Sequence, residues 1–253
     1  MIVLFNNSQW PEATLIPEFR SAIQKYTKQV EQVADNFKVA VAESLDLEPT
    51  AFSRLFDDAS NDRLMLAKYP LVPGVQGDEV SYFRGLAAHK DSSFLTFLLP
   101  ATEHKGLEAQ NKAGNWIPVP PLPGHLVVNI GRQLEALTKG VCVATTHRVR
   151  LHPRDYHDTN GNPLGTRYAF PYFQVVGLDL TPQSASVEVP PHIAGLVKDE
   201  EAKSDAKAYF QRYFEDGIGK GIFATRVYRY PLTAQKFYPG LLEELRGTTE
   251  LPK

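Results

Sequence analysis

The chain of 253 residues is long enough for one large domain or two small ones. Its content of 43% hydrophobic and 22% charged residues is ordinary for a soluble globular protein. The net charge of -2, from 27 basic and 29 acidic residues, excludes a broad basic field, so we expect no nucleic-acid partner.

Signals for export or membrane insertion are not found in the sequence. The N-terminus lacks a basic region followed by an apolar core of about 7–15 residues, which is the pattern of a secretory signal. No stretch approaches the roughly 18 apolar residues of a membrane span, so we expect no membrane association. The single cysteine, Cys142, excludes an internal disulfide and favours a reducing compartment. These features predict a cytoplasmic protein and leave its oligomeric state open.

Two helices are predicted before the first strand. Residues 17–47 carry apolar side chains at spacings of three and four, and Pro17 suits the first position of a helix. The predicted apolar stripe comprises Phe19, Ile23, Tyr26, Val30, Val33, Phe37 and Val41. A second, short helix is predicted around residues 50–56. Its apolar side chains, which we expect in the core, are Phe52, Leu55 and Phe56.

From Met65 the pattern changes to short apolar runs between turns, with the β-branched and aromatic content of strands. The predicted strands cover residues 64–69, 94–99, 115–119, 125–130, 141–149 and 167–176. Cys142, within one of them, is expected to be a buried and inert thiol. Many short strands at this spacing predict a sandwich or barrel, including the jelly roll.

The connections carry the remaining predicted elements. Residues 133–139 form a short helix, residues 152–166 form a long loop rich in turn-forming pairs, and residues 199–214 form a helix with a polar face. No internal repeat or clear linker divides the chain, so the sequence predicts a single domain.

The most informative residues are one histidine-aspartate pair, a second histidine and an arginine. His89 and Asp91 lie two positions apart and can point the same way from an extended strand. His147 can join them only through the fold. Two imidazoles and one carboxylate leave about three metal coordination positions open, which suits non-haem Fe(II) and oxygen chemistry. Arg167 could then hold a carboxylate co-substrate through its planar, bidentate guanidinium.

Each of these residues also has an ordinary interpretation. A His-x-Asp pair arises by chance in a chain with seven histidines, and Arg167 could instead pair with Asp155 or Asp158 on the surface. The other histidines are expected to be turn or surface residues; they are His104, His125, His152, His157 and His192.

The surrounding motifs resemble, in their order, the isopenicillin N synthase-like family of Fe(II)/2-oxoglutarate-dependent oxygenases. His-x-Asp is followed by a Leu-Thr strand, a Gly-Leu strand and a Trp, then by Pro-Pro-Leu-Pro-Gly and Val-Val-Asn-Ile-Gly. Thr-His-Arg-Val and Arg-Tyr-x-x-Pro-Tyr-Phe complete the series. The resemblance implies a mainly β fold with flanking helices, built on a double-stranded β-helix (jelly-roll) core. Within one oxygenase domain, residues 1–62 would be helical support, residues 63–180 the core, and residues 181–253 a C-terminal helix and tail.

The resemblance also implies the site and its cofactors, which would be Fe(II), 2-oxoglutarate and O2. His89, Asp91 and His147 would be the catalytic iron ligands. Arg167 would bind the distal carboxylate of 2-oxoglutarate, and the Tyr69 hydroxyl could reach the same co-substrate.

The implied activity is oxidation of an unactivated C–H bond of a small-molecule substrate, by hydroxylation, desaturation or cyclisation. The candidate substrate residues are Phe170, Tyr172 and Phe173. Strand alternation favours Phe173, because it shares a face with Arg167. Lys90, between two implied ligands, is expected to point away from the metal.

The sequence departs from the family pattern in three ways. Ala169 replaces the usual serine of Arg-x-Ser, and losing a hydroxyl-to-carboxylate bond would weaken 2-oxoglutarate binding by roughly 1.5–3 kcal/mol. The stretches from Tyr69 to His89 and from His147 to Arg167 are longer than the family norm and are expected to shape the substrate entrance. The usual N-terminal region is expected to be absent. Two alternatives therefore stay open: an iron oxidase or cyclase that does not use 2-oxoglutarate, and a non-catalytic, truncated family member.

Overall fold

A computed structural model describes residues 10–56, 61–71, 85–215, 217–241 and 243. Within this part of the chain, one sheet contains β1 (Arg63–Leu64), β2 (Ala67–Tyr69), β4 (Leu95–Pro100), β7 (Val127–Ile130) and β9 (Arg167–Gln174). A second sheet contains β3 (Leu86–His89), β5 (Leu107–Gln110), β6 (Trp116–Pro118) and β8 (His147–Val149). All the strand pairs are antiparallel.

The helices flank these sheets. They are α1 (Phe19–Ser44), α2 (Arg132–Leu137), α3 (Pro191–Ala194), α4 (Glu200–Phe214), α5 (Ile218–Arg229) and α6 (Pro231–Phe237). Short 3-10 turns span Ser53–Leu55 and Pro153–Tyr156. No helix in the described ranges combines the length and apolar character needed to cross a membrane.

Strand β9 organises the first sheet. It pairs with β4 along six residue pairs on one side, and with β1 and β2 on the other. Because side chains alternate along a strand, one face of β9 turns towards the second sheet and the other towards the main core. Tyr172 lies in that core together with Phe94 and Phe97 of the β4 region. The space between the two sheets is therefore lined by the alternate residues of β9.

Helix α1 covers the core side of the first sheet, but its buried face differs from the predicted stripe. The fully buried positions are Val30, Ala34, Lys38 and Ala42, which follow each other at intervals of four. Val33 and Phe37 are 45% and 37% exposed, so these two members of the predicted apolar stripe lie at its edge and outside the buried face. The two alanines of this row are small and permit close approach to the neighbouring elements. Phe37, beside the row, still makes an edge-to-face contact with the buried Phe97 ring, with centroids 5.8 Å apart.

The short helix predicted at residues 50–56 is reduced to a 3-10 turn, although its side chains pack as expected. Phe52 and Leu55 are buried, and Phe56 packs against the same core. The Phe52 and Phe94 rings make an edge-to-face contact with centroids 5.2 Å apart, a geometry that aromatic pairs favour.

The predicted strand at residues 141–149 is correct only at its end, where β8 begins at His147. Lys139 and Gly140 have positive φ angles, and they turn the chain back around the end of α2. The Cys142 backbone N–H then donates to the Thr138 hydroxyl, so Cys142 lies in a bend and not in a strand. Burial raises the pKa of its thiol, as expected of an unreactive cysteine.

Two histidines expected at turns or on the surface are buried. His104 hydrogen-bonds through Nε2 to the Gly165 carbonyl at 3.1 Å and through Nδ1 to Thr102 at 3.0 Å. His152 begins the 3-10 turn of the long loop and is also buried. The reason is that the loop at residues 152–166 folds back onto the sheets, with Tyr156 packed between them.

The first turn of α2 is packed closely on the turn that follows β3. Gly131 donates its backbone N–H to the Phe94 carbonyl at 2.9 Å, and Arg132 donates its own to the Asp91 carbonyl at 2.8 Å. A Cβ atom on Gly131 would lie 1.9 Å from the Ser93 carbonyl oxygen. Only glycine therefore allows this approach.

Substituting Gly131→Ala should lower the free energy of unfolding by about 1–3 kcal/mol, because the added methyl must displace a backbone carbonyl. Urea unfolding followed by circular dichroism measures the change. Gly240→Ala is the matched control, since a Cβ there meets nothing within 4 Å. Equal stability of the two variants would contradict the close approach.

Candidate metal centre

Three side chains from two strands and a turn converge between the sheets. His89 and His147 are directly paired across β3 and β8, and Asp91 follows two residues after His89. The His89 Nε2 atom lies 3.4 Å from Asp91 Oδ1, and the His147 Nε2 atom lies 3.7 Å from the same oxygen. All three potential ligand atoms lie within 4.8 Å of one another, which is close enough to hold one metal ion.

Backbone carbonyls orient both imidazoles. His89 Nδ1 lies 2.8 Å from the Ala87 carbonyl, and His147 Nδ1 lies 3.1 Å from the Thr145 carbonyl. Because a carbonyl only accepts, Nδ1 carries the proton in each ring, and Nε2 presents its lone pair to the cluster. Histidines that bind metals are typically oriented in this way.

Asp91 supplies the negative charge of the cluster. It is 5% exposed, and its Oδ2 atom has no hydrogen-bond partner among the described residues. Burial raises the pKa of Asp91, but the neighbouring His89 and His147 and the Thr96 hydroxyl outweigh it, so the pKa lies below its ordinary value. A buried, ionised carboxylate with an unpartnered oxygen fits a bound cation.

Arg167 lines the same cavity as the three clustered residues. Its side chain is 4% exposed, its Cζ atom lies 4.7 Å from the centroid of the Tyr69 ring, and its Nη1 atom has no partner in the described structure. Burial lowers the pKa of Arg167, whereas Tyr69 and Tyr156 act in the opposite direction. Arginine keeps its charge in such surroundings, so an anion is needed beside it.

Residue 169 and its cross-strand neighbour contribute no hydroxyl to the cavity wall. Ala169 is paired with Ala67 across β9 and β2, and both residues line the cavity. Ala169, which replaces the serine of the family pattern, therefore lines the same cavity as Arg167.

Of the three candidate substrate residues, only Phe173 lines the cavity, together with Tyr69. Phe170 and Tyr172 lie on the opposite face of β9, so the prediction that they face the cavity is corrected by strand alternation. Tyr172 is packed in the main core, and its hydroxyl donates to Asp62 Oδ2 at 2.5 Å.

Lys90 points away from the cluster, as expected. Its Nζ atom lies 3.1 Å from Glu135 Oε1 and 2.8 Å from Asp205 Oδ2.

Sequence reasoning missed two polar residues of the cavity. Thr96 of β4 and Asn129 of β7 are directly paired, and both face the space that contains Asp91. Each is the single polar residue within an apolar run, and this pattern could have indicated them. A polar side chain that points inward from a buried strand needs a polar partner, so it often marks a site. Tyr156, near Arg167, was hidden in the loop at residues 152–166, where no periodicity exists.

Comparison with known proteins agrees with this geometry. Residues 61–175 match the 2OG-Fe(II) oxygenase superfamily. A 2-oxoglutarate-dependent dioxygenase of Gibberella zeae is 40% identical over 236 residues, which cover 93% of this chain and 62% of that protein. The 2-oxoglutarate-dependent dioxygenase frbJ of a Dothideomycetidae species is 34% identical over 248 residues, covering 94% of this chain and 63% of the relative. The chain thus spans less than two thirds of the length of either relative.

The fold also matches a solved structure. A full-length protein of Neurospora crassa, in complex with alpha-KG, superposes with a TM-score of 0.64 over 88% of this chain and 61% of that one, at 21% identity. The predicted jelly-roll fold is thereby confirmed. Residues 61–175 belong to the 2OG-Fe(II) oxygenase superfamily, as the motifs indicated.

Replacing Tyr172 with Phe should lower the free energy of unfolding by about 1–3 kcal/mol, because the partly buried Asp62 carboxylate loses the phenol donor. Metal binding should not change, since the residue faces away from the cavity. Urea unfolding and metal titration measure the two effects, with exposed Tyr228→Phe as the control. A loss of metal binding without loss of stability would contradict this placement.

Proposed function

We propose that this protein is an Fe(II)- and 2-oxoglutarate-dependent oxygenase that oxidises an unactivated C–H bond of a small molecule, with His89, Asp91 and His147 as its iron ligands. One observation carries the proposal. A compact group of two imidazoles and a carboxylate shares one cavity with a buried arginine that has an unpartnered nitrogen atom. Two anchoring points in one cavity suit a metal and a carboxylate co-substrate bound together.

Each residue has a role that follows from its contacts. His89 and His147 present Nε2 to the metal because their Nδ1 protons are directed to backbone carbonyls. Asp91 balances part of the cation's charge. When bound, Fe(II) and 2-oxoglutarate supply the activation of O2 and the oxidising power for the C–H bond. Three ligands on one side of the ion leave positions for these partners.

Arg167 holds the distal carboxylate of 2-oxoglutarate. Its planar guanidinium offers two parallel N–H donors to a carboxylate, and its burial excludes competing water. Tyr69, stacked on the guanidinium, fixes its position and lies within reach of the same carboxylate.

The substrate occupies the rest of the cavity. Met65, Leu86 and Phe173 give this region an apolar wall, which suits a small organic molecule. Phe173 orients the substrate, because it extends from the face of β9 that also carries Arg167. We place the protein in the cytoplasm on the basis of its single cysteine.

A second candidate function keeps the iron but not 2-oxoglutarate. Ala169 favours it, because the cavity wall beside Arg167 lacks the hydroxyl that the family pattern provides. The buried Arg167, whose Nη1 atom has no partner among the described residues, favours the co-substrate, since a buried cation without an anion beside it would be costly to maintain.

Anaerobic addition of Fe(II) and 2-oxoglutarate should produce the weak visible charge-transfer band of the chelate, and admission of O2 should then yield succinate. Asp91→Asn should lose both signals, because the ion loses its anionic ligand. Asp46→Asn is the control, since it changes a carboxylate of an exposed His–Asp pair with His192.

The outcomes separate the candidates. Iron binding without the band or succinate would favour an oxidase that does not use 2-oxoglutarate. A wild-type protein that binds no iron would refute the oxygenase proposal, and would leave a non-catalytic family member.

Ala169→Ser should tighten 2-oxoglutarate binding by roughly tenfold or more, because a hydroxyl on this wall adds a hydrogen bond to an ionised carboxylate. Titration of the charge-transfer band under anaerobic conditions gives the dissociation constant. Ala113→Ser, on an exposed turn, is the control. Unchanged or weaker binding would place the distal carboxylate away from this part of β9.

A further inference from the structure

We propose that helix α4 is a positioning element of the metal centre, acting through Asp205 on Lys90 and through Tyr209 on Ser92. This inference rests on the proposed function, because it assumes that Asp91 is a metal ligand. Lys90 and Ser92 are the residues on either side of Asp91 in the sequence. Helix α4 lies outside residues 61–175, the part of the chain that matches the family model.

The first link is the ion pair of Lys90. Its ammonium group lies 2.8 Å from Asp205 Oδ2 and 3.1 Å from Glu135 Oε1, so it joins α4 to α2. The backbone of Lys90 connects His89 to Asp91. A shift of its side chain is therefore transmitted directly to the two residues that must converge on one ion.

The second link runs through Glu135 to the other histidine. Glu135 is fully buried, and its Oε1 atom also accepts the Ala144 backbone N–H at 3.0 Å. Ala144 precedes Thr145, whose carbonyl orients the His147 ring. One buried carboxylate oxygen thus contacts both the segment of His89 and Asp91 and the segment that leads to His147.

Arg132 provides the third link. Its Nη2 atom lies 2.8 Å from Asp205 Oδ1, and its backbone N–H donates to the Asp91 carbonyl at 2.8 Å. Its guanidinium stacks on Tyr209 with Cζ 4.8 Å from the ring centroid, and the Tyr209 hydroxyl lies 3.5 Å from the Ser92 carbonyl. Contacts from α2 and α4 therefore hold residues 90, 91 and 92 in succession.

The charges of this network balance. Two cations, Lys90 and Arg132, face two carboxylates, Glu135 and Asp205. Burial raises the pKa of Asp205, but hydrogen bonds from Lys90 and Arg132 outweigh it and keep the pKa below its ordinary value. Removing the charge of Lys90 or of Asp205 leaves an opposite charge of the network without its counter-ion, so the chain must rearrange around Asp91.

The test is Co(II) titration of the apoprotein, which reports metal affinity and ligand geometry through the visible Co(II) spectrum without any turnover. Lys90→Met and Asp205→Asn should each weaken Co(II) binding by roughly tenfold and alter the spectrum, as loss of groups that orient metal ligands does. Lys90→Arg keeps the positive charge and can still donate to Glu135 and Asp205, so it should retain most of the wild-type Co(II) affinity.

A matched control comes from the same helix. Lys203 and Glu200 form an ion pair at 2.7 Å on the exposed side of α4, so Lys203→Met removes an ammonium group from this helix without touching the network. It should leave the Co(II) affinity and spectrum unchanged. The double variant Lys90→Met/Asp205→Asn should lose less affinity than the two single losses combined, because both changes break the Lys90–Asp205 pair.

The results distinguish this inference from the proposed function. A wild-type protein that binds no Co(II) would overturn both. Wild-type binding that Asp205→Asn and Lys90→Met leave intact would overturn the positioning role alone, as would an equal loss in Lys203→Met. Should Lys90→Met fail to fold, Asp205→Asn and Lys90→Arg decide the question, since Asp205 is partly exposed.

Discussion

The buried charge of Asp91 is the constraint on which the rest of the site depends. A carboxylate that is 5% exposed is stable only where donors or cations surround it. His89 and His147 approach one of its oxygens, and the other has no partner among the described residues. The backbone around it is fixed by the first turn of α2, through the close contact at Gly131. The protein thus holds in place a group whose charge it only partly compensates, which is the condition of a site prepared for a cation.

The pairing of strands determines which groups share the cavity with that charge. Because β9 is paired on both sides, its register is fixed, and its alternation directs Arg167, Ala169 and Phe173 to the same face. The direct pairing of β3 with β8 brings the two histidines together from positions 58 residues apart in the sequence. A slip of one residue in β9 would turn the arginine into the hydrophobic core, where no anion could reach it. The chemistry of the site is therefore inseparable from the register of its sheets.

Local pattern and tertiary packing contribute differently to what the sequence reveals. The alternation rule correctly placed Phe173 and Arg167 on one face, because alternation depends on the strand alone. The same rule excludes Tyr172, which was a candidate substrate residue and lies in the main core. Cys142 lies in an apolar, β-branched run, yet positive φ angles before it turn the chain into a bend. The partial exposure of Phe37 was equally hidden, because helix periodicity does not reveal how closely small side chains allow two elements to pack. Strand alternation is thus readable from the sequence, whereas the bend at Cys142 and the packing around Phe37 are not.

Around Arg167, the serine hydroxyl missing at Ala169 and the long loop at residues 152–166 are related. Ala169 provides no hydroxyl on the cavity wall, so the polar character near the guanidinium comes from Tyr69 and Tyr156. Tyr156 belongs to the extended loop before β9, and its hydroxyl donates to the Tyr69 carbonyl at 3.2 Å. The loop therefore fixes the end of β2 on which Tyr69 stacks against Arg167. A guanidinium held by its aromatic neighbours retains its direction without a serine beside it, and its unpartnered Nη1 atom remains available to an anion in the cavity.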